Sequence, residues 1–397
     1  MDLAALAQPG GRILQVVLDG LGGMADAERG TELEEASTPN LDRLAAEGAT
    51  GLLEPVAPGI TPGSGPGHLA LFGYDPTEHE LGRGALSAAG LGFELRPGDV
   101  AARGNLCTID DDGVVVDRRA GRIADDLARE VVATLQERVR IDGVEVFFRH
   151  ERGHRLLVVL RGDGLDPRVS DTDPQKTGVP SLPPRPLDAD AARTADAVES
   201  IDAQARAVLA GRADANAVVL RGFDTLRELP SFTSRTGMRA AAIAVYPMYR
   251  GLASLLGFDV IGPPADLDEA IRLLAERRDD ADYHFLHYKD TDAAGEDGDF
   301  AAKVDAIERL DAAIPSILDA ADAAVIAVTG DHATPSQMAA HSWHPVPVLA
   351  HGQRISRDAV DRFGERWCAS GGLGFRPTVT LLPQLMAAAG RLAKYGA

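Results

Sequence analysis

Cysteine is nearly absent. Cys107 and Cys368 are the only two in 397 residues and lie far apart, which excludes a disulfide framework and leaves no cysteine spacing for zinc. Both read as buried small hydrophobes. Aromatics are scarce at 5%, so a core drawn from the 45% of hydrophobic residues must be built mainly of Ala, Val, Leu and Ile. No apolar run approaches the roughly 18 residues needed to span a bilayer, and the start of the chain lacks the charged-then-apolar pattern of a secretory signal. A cytoplasmic protein with no membrane partner is the expectation. Positive charge is also in short supply, with 40 Lys and Arg against 60 Asp and Glu, a net charge of -20. Nucleic acid is therefore an unfavourable partner. An acidic protein that binds an anion must gather cations locally, as arginine clusters or metal ions, and candidates for both are present. Oligomeric state leaves no signature in the sequence.

The apolar run 12–18 ends on Asp19-Gly20 and reads as a buried parallel strand with an acid at its carboxyl end. Runs at 240–246, 282–288 and 323–329 read the same way. The third is followed by Lys289-Asp290-Thr291-Asp292 and the fourth by Gly330-Asp331-His332. Helical patterns at 38–47, 265–277 and 299–319 alternate with them, which predicts an α/β fold with a doubly wound, mostly parallel sheet. In such sheets ligands bind beyond the carboxyl ends of the strands, so acids repeated at that edge point to a metal site.

The stretch 78–233 differs in texture. Short β-rich runs at 114–117, 144–149, 155–161 and 217–220 accompany helical patterns near 122–138 and 187–211, with a loop over 162–188. It reads as a smaller α+β, substrate-binding domain inserted between 1–77 and 234–397.

The candidate metal ligands are Asp19, Ser64, Asp292, Glu296, Asp331, His332 and His341. An acid after a strand is more often a helix cap, and Glu296, in Gly-Glu-Asp-Gly, reads equally as a solvated turn; it is the joint pattern that favours a metal centre. With oxygen donors dominating, two divalent ions, Mn2+ or Mg2+ before Zn2+ or Co2+, are expected, an arrangement that clamps the oxygens of a phosphoryl displacement. Ser64 lies in Thr61-Pro62-Gly63-Ser64-Gly65-Pro66-Gly67-His68, where glycines let backbone approach a phosphate. No Ser-His-Asp order is evident, so metal activation of the hydroxyl is the better reading. Arg103, Arg118, Arg119, Arg122, Arg155, Arg161 and Arg221 recur through the inserted stretch and suit a bidentate grip on carboxylate or phosphate.

Taken together the chain resembles the archaeal-type, 2,3-bisphosphoglycerate-independent phosphoglycerate mutases of the alkaline phosphatase superfamily. The resemblance rests on Val17-Leu18-Asp19-Gly20, Thr38-Pro39-Asn40-Leu41-Asp42, Gly59 to Ser64 with Gly73-Tyr74-Asp75-Pro76, Gly82-Arg83-Gly84 and Arg103-Gly104-Asn105. It continues through Asp117 to Arg122, Ser170 to Pro174, Tyr249-Arg250-Gly251, Thr329 to His332, and His341 with Pro345-Val346-Pro347. It implies an alkaline-phosphatase-like fold, a serine nucleophile, a phosphoserine intermediate and two divalent metals. Asp19, Ser64, Asp331 and His332 would hold one, and Asp292 and His341 the other. The chain departs from the family pattern at Glu296, where a His ligand is expected, at Gly65 in place of Asp, and at Phe223-Asp224 in place of Ala-Gly. The expected reaction is interconversion of 3- and 2-phosphoglycerate. The alternatives are a mutase on another small phosphate or phosphonate, a metal-dependent phosphohydrolase, and a binding protein without catalysis.

Overall fold

The computed structural model describes residues 3–79, 81–226 and 229–396. They fall into two compact units, Met1–Glu80 with Leu229–Ala397, and Leu81–Glu228.

The first unit is built on an eight-stranded sheet. Its order is Asp259–Ile261, Ala240–Ile243, Tyr283–Tyr288, Ile13–Leu18, Val325–Thr329, Val346–Gly352, Ala49–Glu54, Gly374–Pro377. The first five strands run parallel, Val346–Gly352 pairs antiparallel with both neighbours, and Gly374–Pro377 is parallel to Ala49–Glu54. Every residue of Ile13–Leu18, Tyr283–Tyr288 and Val325–Thr329 is buried. That is why these strands read as unbroken apolar runs rather than as alternation: both sheet faces are covered. Leu41, Leu44, Leu274, Ile307, Leu310 and Ile314 from the helices Pro39–Glu47, Leu267–Arg277 and Phe300–Ala321 pack with Leu14, Val16, Leu286 and Val328 in one core. Pro39–Glu47 makes no side-chain cap of its own. The buried Asp311 of Phe300–Ala321 caps it instead, accepting from the Leu41 amide at 2.8 Å and the Asn40 amide at 3.1 Å.

The sheet runs further than the apolar runs suggest. The predicted strand 240–246 stops at Ile243, because Tyr246 begins the turn into the helix Pro247–Leu255. Ala49–Glu54 and Gly374–Pro377 carry Gly and charge, and Val346–Gly352 carries Pro347, the features that argue against a strand from sequence. Pro347 is tolerated because its ladder partner is Leu52 on one side only, while pairing with Val325–Thr329 ends at Leu349.

The second unit is an antiparallel sheet ordered Glu145–Arg152, Arg155–Arg161, Val100–Ile109, Val114–Asp117, Val179–Pro180, with Ala217–Asp224 also paired to Val100–Ile109. The helices Asp125–Arg138 and Ala192–Val208 cover it through Val131, Leu135, Val198 and Ile201. Its longest strand, Val100–Ile109, was not expected; Ala-Ala-Arg-Gly-Asn has little β-propensity, and burial between two partner strands overrides that. Among the described residues no helix is long and apolar enough to cross a membrane.

Candidate active site

Tyr283–Tyr288, Ile13–Leu18 and Val325–Thr329 lie side by side, with Leu18 level with Tyr288 and Val17 level with Thr329. The chain leaves all three at one edge. Asp19 follows its strand directly, Asp292 sits in the first turn of the helix Asp290–Glu296, and Asp331-His332 follow Gly330. Donor atoms of Asp19, Asp331 and His332 lie within 4.8 Å of one another, and so do those of Asp292, His332 and His341. His332 belongs to both groups, its ring stacked on that of His341 with centroids 3.7 Å apart.

Ser64 opens the helix Ser64–Leu71, and its Oγ is 3.3 Å from His332 Nε2. The surrounding glycines have a steric reason. A Cβ on Gly67 would stand 2.3 Å from the Asp331 carbonyl oxygen, so only glycine lets this helix pack on the Asp331 loop. Glu296 ends its helix half exposed, with Oε1 3.8 Å from His341 Nε2, outside both donor groups.

These carboxylates are buried, and their charge is met by neighbours that the sequence reading did not assign. Lys289 Nζ lies 2.8 Å from Asp19 Oδ2 and 2.5 Å from Asp292 Oδ2. Tyr249 donates to Asp19 Oδ2 at 2.5 Å, and His287 and His68 stand within 3.3 Å of Asp19 and Asp331 respectively. Burial raises the Asp19 carboxyl pKa, but Lys289, His287 and His332 more than offset it and hold it well below the usual range. Asp331 is likewise lowered despite burial and the nearby Asp19, through His332 and His68. Burial disfavours the His332 cation, yet Asp331 and Asp19 push its pKa up to about 9. Asp19 Oδ1 and Asp331 Oδ2 remain buried without a hydrogen-bond partner. Buried, converging, ionised and partly unpartnered oxygens beside imidazole nitrogens are a donor set that fits divalent cations. Lys289 and Tyr249 were visible only as parts of Lys289-Asp290-Thr291-Asp292 and Tyr249-Arg250-Gly251; their contacts with Asp19 span 270 and 230 residues.

The arginines of the second unit divide. Arg103 and Arg221 face each other across paired strands. Asp173 takes Arg118 in a two-point ion pair (3.1 and 2.7 Å), with Arg221 Nε at 3.8 Å and Asn105 Nδ2 at 3.4 Å. Burial, with Arg83 and Arg103 nearby, lowers the Arg221 pKa to about 10. Buried Nε atoms of Arg103 and Arg221 lack hydrogen-bond partners. Like charges opposed in a sheet are costly; here Glu151 lies 4.0 Å from Arg103 Nε and Asp173 3.8 Å from Arg221 Nε and offset part of that cost. Arg155 is level with Asn105, while Arg119 and Arg122 are exposed on the turn after Val114–Asp117. Arg161 is not part of this group. It stands at the other end of its strand, about 20 Å from Arg155 at the usual rise per residue, and is locked to Asp99 at 2.9 and 2.6 Å. Arg83, Asn105 and Asp173 join this group from Gly82-Arg83-Gly84, Arg103-Gly104-Asn105 and Ser170 to Pro174, motifs whose local sequence gives them no separate role.

His154 borders the arginines, and burial with Arg155, Arg103, Arg119 and Arg118 lowers its pKa from 6.5 to about 4. A histidine depressed in the folded state contributes full stability above 6.5 and loses it as pH falls toward 4. Going from pH 7 to pH 5 should therefore cost the wild type about 1 kcal/mol more than His154→Gln, after allowance for partial exposure. Denaturant midpoints at the two pH values check this; equal losses would refute it.

A family model described as 2,3-bisphosphoglycerate-independent phosphoglycerate mutase matches residues 45–213. A Thermus thermophilus protein described as a probable enzyme of that name is 50% identical over 391 residues, covering 97% of this chain and 96% of the relative. An Aquifex aeolicus relative of the same description is 45% identical, covering 98% and 97%. Among solved structures, a Pyrococcus horikoshii protein superposes with TM-score 0.83 at 30% identity, covering 98% of this chain and all of the other. The cofactor-independent phosphoglycerate mutase of Thermoplasma acidophilum gives 0.69 at 30% identity, covering 96% and 100%.

Proposed function

The chain belongs to the 2,3-bisphosphoglycerate-independent phosphoglycerate mutases, and from that premise we propose that Ser64 is the nucleophile of a phosphoserine route between 3- and 2-phosphoglycerate. The enzyme is an isomerase acting on a small phosphorylated substrate. The observation that supports this route best is the position of Ser64 Oγ, at the start of a helix and 3.3 Å from the nitrogen of His332 that also faces Asp19 and Asp331.

Asp19, Ser64, Asp331 and His332 would hold one divalent cation, and Asp292 and His341, with Glu296 reaching in, the other. Bound there, the ions would lower the hydroxyl pKa of Ser64 and neutralise charge on the transferring phosphoryl group. Ser64 Oγ forms a bond to phosphorus as the bond to one glycerate oxygen breaks. The departing glycerate takes up a proton equivalent to the one Ser64 gives up. The second hydroxyl of the glycerate then bonds to phosphorus as the Oγ–P bond breaks, and Ser64 Oγ takes up a proton equivalent to the one that hydroxyl gives up. Lys289 supplies a fixed positive charge beside Asp19 and Asp292 throughout. Within the second unit, Arg103, Arg118 and Arg221, with Asp173 and Asn105 beside them, form a cluster suited to a carboxylate or phosphate. The test is an enolase-coupled assay with Mn2+ and 3-phosphoglycerate, without 2,3-bisphosphoglycerate. Formation of 2-phosphoglycerate is expected; release of free phosphate instead would mean a hydrolase.

Glu296 bears on which ion is used. A carboxylate brings hard oxygen and a negative charge to a position where relatives of this type are expected to place imidazole, which favours Mn2+ or Mg2+ over Co2+ or Zn2+. Glu296→His should move the ranking toward Co2+ and Zn2+ in a reconstitution series at fixed pH. An unchanged ranking, with Glu296→Ala fully active, would make Glu296 a surface turn residue.

A further inference from the structure

Thr334 follows the Asp331-His332 pair by two residues and is fully buried. Its hydroxyl oxygen is 2.7 Å from Asp292 Oδ1 and 3.0 Å from His332 Nδ1. One side chain thus touches a donor of each group, on segments 42 and 2 residues away. We propose that Thr334 is the positioning residue that couples the two ligand groups and dictates which nitrogen of His332 is free to bind a cation. This rests on the two-metal reading above.

The direction of the hydrogen bonds follows from counting protons. A hydroxyl has one hydrogen, and a carboxylate can only accept. Thr334 therefore donates to Asp292 and accepts from His332, so Nδ1 of His332 carries hydrogen whether the ring is neutral or charged. The lone pair of the neutral ring is then on Nε2, the nitrogen that lies 3.3 Å from Ser64 Oγ and 3.3 and 3.2 Å from Asp19 and Asp331 oxygens. Orientation of ligating imidazoles by a partner on the other ring nitrogen is a general device of metal sites.

The hydroxyl is itself held in place. The Thr334 amide donates to the Gly22 carbonyl at 3.0 Å, and the Thr334 carbonyl accepts from the buried Lys303 ammonium at 2.8 Å. Lys303 also donates to the Gly22 carbonyl at 3.1 Å, so one cation joins the loops that leave two adjacent strands. Gly20 leaves room for this arrangement. It has φ +64°, and a Cβ there would lie 2.5 Å from Thr334 Oγ1 and 2.8 Å from Asp292 Oδ1.

Thr334→Val keeps the shape and removes the hydroxyl; Thr334→Ser keeps the hydroxyl and loses a methyl. Mn2+ binding is measured by calorimetry on wild type and both variants, with near-UV circular dichroism as the check on folding. Wild type should bind two equivalents. Thr334→Val should weaken both by about 10- to 100-fold, and Thr334→Ser should return close to wild type. Weakening of both equivalents is the mark of coupling; loss at one alone, or unchanged binding in Thr334→Val, overturns the proposal. A wild type that binds no divalent ion would instead sink the two-metal reading beneath it. If Thr334→Val fails to fold, nitrogen-15 histidine spectra of Mg2+-loaded wild type decide the point. Hydrogen on Nδ1 of His332 is expected, and hydrogen on Nε2 alone refutes it.

Discussion

Ser64→Ala is expected to lower kcat by about four orders of magnitude or more, the scale seen when a covalent nucleophile is removed, while leaving fold and substrate affinity nearly unchanged. The contacts around Ser64 explain why the loss should be so selective. The side chain's described polar contact is the 3.3 Å approach to His332 Nε2. The bond that ties this helix turn to the buried His68 uses the Ser64 carbonyl oxygen, 2.8 Å from Nδ1, and alanine keeps it. Alanine also favours a helical position. Removal of the hydroxyl therefore takes away the attacking atom, which is also a candidate metal donor, and leaves the packing around it in place. Mass spectrometry of wild type quenched during turnover should place phosphate on the Ser64 peptide, and the variant should show none there. Activity of Ser64→Ala within tenfold of wild type, with no phosphopeptide in either protein, would end the covalent scheme.

What could be read from sequence, and what could not, divides along physical lines. Ile13–Leu18, Tyr283–Tyr288 and Val325–Thr329 are buried on both faces, and that environment admits little except apolar residues. Their runs are therefore visible, and so are the acids that end them. That these acids converge depends on the strands being neighbours, which follows from the repeated pattern only by analogy with other parallel sheets. Val100–Ile109 was missed for the opposite reason. Its interior holds Arg103 and Asn105, residues whose cost is tolerated because Glu151 stands 4.0 Å from Arg103 and Asn105 donates to Asp173. Arg155 and Arg161 show a further limit. Both flank the same apolar run, and nothing local distinguishes the end beside Asn105 from the end that Asp99 holds. Thr334 and Lys289 are ordinary residues in ordinary local contexts. Their roles come from Gly20, Asp19 and Asp292 meeting them in space, information carried by the fold rather than by spacing along the chain.

Chelation should reduce activity to background, a loss of about a thousandfold or more, without unfolding the protein, and Mn2+ should restore it. Charge balance at the strand ends makes both halves of this expectation. Asp19, Asp292 and Asp331 are three carboxylates in nearly complete burial. Bringing them together with no cation nearby would cost several kcal/mol. Lys289 bridges Asp19 and Asp292, and Asp331 is met by His68 and His332. These side chains would leave a chelated site partly neutralised, and the parallel strands beneath it have hydrogen bonds and a core of their own. Folding therefore survives, with a lower melting temperature. Ions that bind the folded chain alone add about 4 kcal/mol when present at a thousand times their dissociation constant, enough for a clear upward shift on reloading. Activity is not expected to survive in the same way, because among the described residues the polar side-chain contact of Ser64 Oγ is His332 Nε2, and that nitrogen is shared with two carboxylates rather than held as a free general base. Melting curves and enolase-coupled rates on chelated, Mn2+-reloaded and mock-treated protein measure both quantities. Full activity in the chelated sample, with metal content verified as zero, would remove divalent ions from the reaction. Irreversible unfolding on chelation would show that Lys289 does not sustain the stripped site.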